Sequence, residues 1–489
     1  MHQFQDIEKL SELKCFFTRD QKAGDTFVEV LATFFNGKLS QLVAGFKADG
    51  HGAEQLLGML LIMPLLGVSS VWALVRSGYG RLTPAGKDAF YRFKNKEHID
   101  WRLLLYRVAQ RFRALTHHHG TPDGQPRCAI LDDTTLAKTS WRSEGVSRVF
   151  DHVSGRCLWG FKLLVLGICD GKSFHPVDFT LHRETGKNKK RRYGLTKTQR
   201  RRQYGKERDS DRPGARRRRE LDSSKAVQAV KLLRRAVWRG LSFEYVLADS
   251  WFFSARLLTA VRALAGGRVH LVAMAKMGKA RYCWQGESYT PGQLKQRLKA
   301  QKRRCRSLRA HYMRCEVTYK GLPVTVFLVR YSGQRRWRMI VCSDRSLGFT
   351  RVMRLYSIRW SIEVFFKEAK QHLQLGASQA QNLDGQIADI TLSMIRYTLL
   401  SFRKRFTAYE TLGELFAAYR EQLLTLTITE QIWGLILQWA RQLCHVLELS
   451  PEWVLQKLIR LDSDAHWKLV ELLHPLIEPG EASGGLPVG

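Results

Sequence analysis

Three places in this chain of 489 residues offer carboxylates in settings that suit chemistry. The apolar run Cys128 to Leu131 ends at Asp132 and Asp133, and the run FEYVLA, Phe243 to Ala248, ends at Asp249. Glu363 lies in LYSIRWSIEVFFKEAKQHL, Leu355 to Leu373. Two strand-end aspartates and a glutamate from a neighbouring helix make a set of hard oxygen donors, the kind Mg²⁺ prefers. Two such cations about 3.5–4 Å apart can clamp the attacking and leaving oxygens of a phosphodiester. Asp132 and Asp133 are adjacent on a strand, so their side chains point to opposite faces and only one can join such a set.

The glutamate segment carries more than an acid. At about 100° per residue, Tyr356, Arg359, Glu363 and Lys370 fall within a stripe about 60° wide. Leu355, Ile358, Ile362, Phe365, Phe366, Ala369 and Leu373 cluster on a separate, core-facing side. Alone, Arg359 and Glu363 would be an ordinary i,i+4 pair worth a few tenths of a kcal/mol. Beside two strand-end aspartates the stripe reads differently. Tyr356, Arg359 and Lys370 can hold flanking phosphates by hydrogen bond, bidentate fork and point charge.

The surrounding elements must position these groups. Apolar repeats in VEVLATFFNGKLSQLVAGF and WRLLLYRVAQRFRAL make residues 1–122 a helical unit, closed by a loop holding His117 to His119. Leu56 to Val75 has no charge, but Gly58, Pro64, Gly67, Ser69 and Ser70 interrupt it, which suits two short buried helices. Strands follow at Trp159 to Cys169 and Phe174 to His182, joined by an Asp170-Gly171 turn, then helices over Ser223 to Trp238 and Phe252 to Leu264. Both aspartate sites then lie at the carboxyl ends of adjacent parallel strands, a usual place for an α/β site. HLVAMAK, YMRCEVTY, PVTVFLVRY and WRMIVCS make 266–345 a β-rich unit, and from Thr350 the chain is helical to about Leu476.

Composition limits the partners. With 80 Lys plus Arg against 44 Asp plus Glu, the net charge is +36, and 44% hydrophobic content excludes wholesale disorder. A polyanion is the expected partner. Arg183 to Glu220 holds 17 basic and 5 acidic residues, and Lys295 to Arg314 holds 9 basic and none acidic. The first segment, nearly free of aliphatic residues, reads as a mobile insertion that contacts phosphates. Nine cysteines without a C-x2-C pair argue against a zinc ribbon or a disulfide scaffold. The opening MHQFQDIEKL lacks the form of a signal peptide, so a cytoplasmic, nucleoid-associated protein with neither a membrane nor a small-molecule substrate is expected.

Y-x2-R-x3-E-x6-K, met in full by Tyr356, Arg359, Glu363 and Lys370, resembles the signature of the "insertion sequence four" group of bacterial DDE transposases. AILDDTT resembles that family's first-aspartate strand, where an Asp precedes Thr-Thr, and YVLADSWF its second; the Asp-Thr-Thr match favours Asp133 over Asp132. The resemblance spans about Cys128 to Leu375. It implies an α/β fold: a ribonuclease H-like core with a β-rich insertion, flanked by N- and C-terminal helical regions. Accordingly, 1–122 would bind DNA ends, and 123–265 would form the first part of the core, with the basic insertion 183–220. The β-rich insertion would be 266–345 and the glutamate helix would lie in 346–405, leaving 406–489 for dimerisation. It implies that Asp133, Asp249 and Glu363 hold two Mg²⁺, with Mn²⁺ able to substitute. It also implies that Trp337 stacks on an unpaired base, although a Trp filling the insertion's own core would fit the sequence as well. The implied partners are terminal inverted repeats and target DNA, with a homodimer in the synaptic complex. The long basic insertion matches no family motif.

Overall fold

A computed structural model of the protein describes residues 27–36, 38–46, 50–83, 85–116, 125–184, 194–406 and 411–420. The His117 to His119 loop, part of the basic insertion and the chain from 421 onward, with its expected helices and dimerisation role, lie outside the described residues.

The chain opens with helices α1 (Phe27–Phe35), α2 (Leu39–Leu42), α3 (Ala53–Ile62), α4 (Val71–Arg76), α5 (Lys87–Lys94) and α6 (Trp101–Thr116). The uncharged stretch splits between α3 and α4, as its Pro and Gly residues suggested, and Leu56, Leu57, Leu60, Leu61, Val71 and Leu74 are buried. No helix among the described residues is long and apolar enough to cross a membrane.

Four strands follow: β1 (Cys128–Ala137), β2 (Ser147–Asp151), β3 (Arg156–Cys169) and β4 (Phe174–His182). β1 pairs antiparallel with β3 along its whole length, and β3 pairs with β4. Their turn works because Gly171 supplies φ +85° and the Asp170 carboxylate accepts the N–H groups of Lys172 and Ser173. Short helices α7 (Lys197–Arg202) and α8 (Pro213–Glu220) lead to α9 (Lys225–Trp238), then β5 (Tyr245–Ala248), α10 (Ala255–Arg262) and β6 (His270–Ala275). Ser224 and Ser254 start α9 and α10 by accepting the N–H of Val227 and Leu257. β5 runs parallel to β1, and β6 parallel to β5. The order β4-β3-β1-β5-β6, three antiparallel strands followed by parallel ones, with helices on both faces, is the mixed α/β architecture of a ribonuclease H-like core.

The sheet does not stop there. β7 (Tyr282–Trp284), β8 (Glu287–Tyr289), α11 (Pro291–Arg297), β9 (Arg303–Cys305), β10 (Ala310–Tyr319), β11 (Leu322–Tyr331) and β12 (Arg338–Cys342) come next. β12 pairs with β6, and β11 and β10 follow it, so all twelve strands form one sheet. Three helices close the described core: α12 (Phe349–Ile358), α13 (Trp360–His372) and α14 (Leu383–Lys404). Every residue of α14 from Leu383 to Phe402 except Asp389 is buried, and it packs against α6, β4, α3 and α5.

Three expectations need correction. β1 runs on past the aspartates to Ala137, because Thr134 and Thr135 keep pairing with β3 after β5 has ended. The segment Leu355 to Leu373 is two helices, separated by a tightened turn in which Arg359 N–H bonds to Tyr356 O, three residues back. Finally, the described part of the basic segment, 194–220, is docked. Arg208 grips the buried carboxylates of Glu144 (2.6 Å) and Asp384 (3.1 Å), and Lys206 reaches Asp384 (2.8 Å). Arg217 and Arg102 both pair with Glu220.

Candidate active site

Strand register brings the first carboxylates together. Leu131 of β1 lies opposite Ala248 of β5, so Asp132 and Asp249 are the next residues on two adjacent parallel strands. Asp249 lies just past the end of β5, where its carboxylate accepts the N–H groups of Trp251 (2.9 Å) and Phe252 (3.3 Å), fixing the turn into α10.

Alternation along β1 then separates the two aspartates. Ala129 and Leu131 pack with Ala229, Leu232, Leu257 and Val261 on the α9/α10 face. Asp133 shares that face, where Lys225 of α9 donates to it at 3.0 Å. Asp132 points the other way, toward α13. Its carboxylate accepts Arg359 Nη1 at 2.8 Å, while Nη2 of the same guanidinium donates to Glu363. One guanidinium thus spans both carboxylates. The Asp-Thr-Thr match favoured Asp133; the side chain brought to Glu363 is Asp132, because packing of α13 decides which face of β1 meets the glutamate.

The whole polar stripe of the glutamate segment faces this strand. Lys370 Nζ donates to Thr134 Oγ1 at 2.7 Å, and Arg359 lies 5.7 Å from the Tyr356 ring centre. Burial pushes the Asp132 carboxyl up to about 7; the Arg359 charge opposes this and the neighbouring Asp249 and Asp133 charges add to it. Burial also raises the Tyr356 hydroxyl, with Arg359 lowering it and Asp249 and Asp132 raising it. Burial lowers Lys370. Mutual electrostatic influence therefore ties Asp132, Asp249, Tyr356 and Arg359 into one cluster.

Trp337 lies elsewhere. It precedes β12, half-buried against the core of the β-rich segment, with the Arg330 guanidinium 5.3 Å from its ring centre. Residue types alone did not single out Lys225, whose Nζ contacts Asp133 and also sits 4.0 Å from the ring centre of the part-exposed Trp251. The only sequence signal for it was the two-residue alternation that turns Asp133 away from Asp132.

Among the described residues no three His, Cys, Asp or Glu side chains stand close enough together to enclose a metal ion as they are. The donor chemistry nevertheless fits a hard divalent cation. Asp132, Asp249 and Glu363 supply only carboxylate oxygens, the hard donors that such a cation takes.

Two known families match overlapping parts of the chain. The family described as DDE superfamily endonuclease matches residues 57–306, which include Asp132 and Asp249. The family described as Transposase DDE domain matches 218–399, which include Asp249 and Glu363. None of the curated proteins matches the chain. Among solved structures, the NurA nuclease from Sulfolobus solfataricus is similar at 11% identity, over 54% of this chain and 83% of that one, with a TM-score of 0.20. A score that low carries no argument about fold or function. With more than half of its length matched by the first family, the chain belongs to the DDE superfamily of endonucleases, metal-dependent enzymes that cleave DNA.

Proposed function

We propose that this protein is a cut-and-paste transposase of the "insertion sequence four" group. It would excise its own element at terminal inverted repeats and join the freed ends to target DNA, working as a homodimer on nucleoid DNA in the cytoplasm. One observation carries the reading: Arg359 and Lys370 of the Y-x2-R-x3-E-x6-K pattern bond to Asp132 and Thr134 of β1, and Glu363 is joined to Asp132 through the Arg359 guanidinium.

Asp132, Asp249 and Glu363 are the residues that would hold Mg²⁺, with Asp132 rather than Asp133 as the first ligand. Two divalent ions there would supply the charge that clamps the attacking and leaving oxygens of a phosphodiester. Arg359 bonds to Asp132 and Glu363 at once, and a guanidinium fork suits a phosphate contact. Lys370 and Tyr356 add a point charge and a hydroxyl donor on the same side. Asp133 and Lys225 brace the opposite face. Trp337 would stack on an unpaired base at the cut end, worth about 1–3 kcal/mol.

The test uses purified protein, a labelled duplex bearing the element end, and Mg²⁺. Wild type nicks the duplex and joins its end to a second DNA. Asp249→Asn and Glu363→Gln lose nicking while still binding the duplex; a variant that cuts at the wild-type rate removes that residue from the site. The endonuclease description of the matching family favours a second reading, in which the enzyme only hydrolyses. Cleavage without any joined product would select it.

A further inference from the structure

The single sheet places a second, oppositely charged feature on the edge where β5 ends just before Asp249, beside Asp132 of β1. Ala275, the last residue of β6, lies opposite Met339 of β12, so Arg338 sits beyond that end. Arg338 lies opposite Val329, and Val329 opposite Tyr312. Tyr312 and its neighbour His311 then lie opposite Arg303 and Arg304 of β9. Register alone thus carries a row of arginines along the edge that holds the carboxylates. The connection into β12 adds Arg335 and Arg336.

These arginines differ from those of the other basic segment. Lys206, Arg208, Arg217 and Arg218 of that segment are paired with Glu144, Asp384 and Glu220, while its exposed basic residues, such as Lys197, Arg201 and Arg202, lie off this edge on α7. Arg303, Arg304, Arg335, Arg336 and Arg338 are exposed, and among the described residues no acid pairs with them. The nearest acidic knot, Glu316 with Arg314 and Arg345, lies further back along β10, away from this end.

The distance suits one duplex. Cys305, at the end of β9, contacts Thr350 at the start of α12 (4.0 Å), and α12 leads to Arg359 at Asp132. Nine residues of helix span about 14 Å, or about four base-pair steps at 3.4 Å each. A duplex with one phosphate at the carboxylates therefore passes the arginines within one helical turn.

Resting on the transposase reading of the carboxylate site, we propose that Arg303, Arg336 and Arg338 form a backbone track for duplex DNA on one side of the cut; Arg304, next to Arg303 on β9, points to the opposite face. The track grips phosphates without reading sequence and sets the angle at which the duplex crosses the carboxylates.

Two measurements test it on the full chain. The first is the salt dependence of binding to a duplex bearing the element end. Each lost phosphate contact makes the slope of log K against log salt shallower by about 0.9. The combination Arg303→Gln, Arg336→Gln and Arg338→Gln is expected to flatten it by about 2 to 3. Lys197→Gln, Arg201→Gln and Arg202→Gln, which remove equal charge from the docked segment, are expected to flatten it by less than about 1. Equal slopes in the two variants, or an unchanged slope in the first, would overturn the track. The second is phosphate-ethylation interference with wild-type protein, which needs no variant to fold. Ethylation within one turn on one side of the cut should weaken binding, and indifference there would also overturn the proposal. If wild type binds with this footprint but never nicks, the transposase reading fails and the track stands. If wild type nicks without the footprint, the track fails alone.

Discussion

At the scale of single residues, the site turns on which of two adjacent aspartates faces α13. Asp132→Asn should lower nicking by a hundredfold or more in a gel assay while leaving duplex binding intact. Asp133→Asn should keep most of the nicking rate and instead lower the melting temperature, because Lys225 loses its carboxylate partner. Reversed outcomes would return the first ligand to Asp133. Arg359→Lys keeps the charge but cannot bridge Asp132 and Glu363 at once, so nicking should fall although DNA affinity changes little. The chemistry-bearing types were legible in the sequence: two aspartate positions and a four-residue stripe reached one place in the fold. The choice between Asp132 and Asp133 was not. Both obey the same local pattern, and only the packing of a helix more than 200 residues later separates them.

At the scale of elements, apolar runs located β3, β4, β5, β6, β10, β11 and β12, but not the three-residue strands β7, β8 and β9, too short to show a pattern. The five-residue β2 was missed, since SRVFD shows little strand pattern and is set by its pairing with β3. The basic segment was misread for the opposite reason. Its arginines look solvated until Glu144 and Asp384, distant in sequence, are brought beside Arg208. Arg208→Ala removes a partner from both buried acids, although Lys206 still reaches Asp384 and Arg218 still reaches Glu144, and should cost about 1.5–3 kcal/mol in denaturant unfolding. Strand β4 supplies a pH prediction. Burial lowers both His175 and His182 to about 4, against about 6.5 in an unfolded chain. Between those values the unfolded chain binds more protons, so stability falls as pH drops from 6.5 toward 4. Thermal melts should follow that slope. His175→Leu should flatten it, since neither ring nitrogen of His175 has a hydrogen-bond partner.

At the scale of the whole molecule, the +36 charge divides into two uses. Part of it is consumed inside the fold by buried acids, and part lies exposed along the sheet edge that also carries the carboxylates. DNA binding and cutting should therefore separate cleanly. Adding a chelator is expected to stop nicking while leaving a gel-shift complex in place, and restoring Mg²⁺ should restore nicking. Loss of the complex on chelation would mean that the cation, not the arginines, holds the duplex. Helix α14 has a different consequence. It covers β4 and the N-terminal helices, yet it ends at Lys404, almost 300 residues after α6. At about 5–20 residues per second, the ribosome needs roughly 15–60 s to deliver it after α6 has emerged. Throughout that interval the parts of α6 and β4 that α14 will cover stay open, although the two already pack on each other, so that apolar surface of the newborn protein needs shelter until α14 arrives.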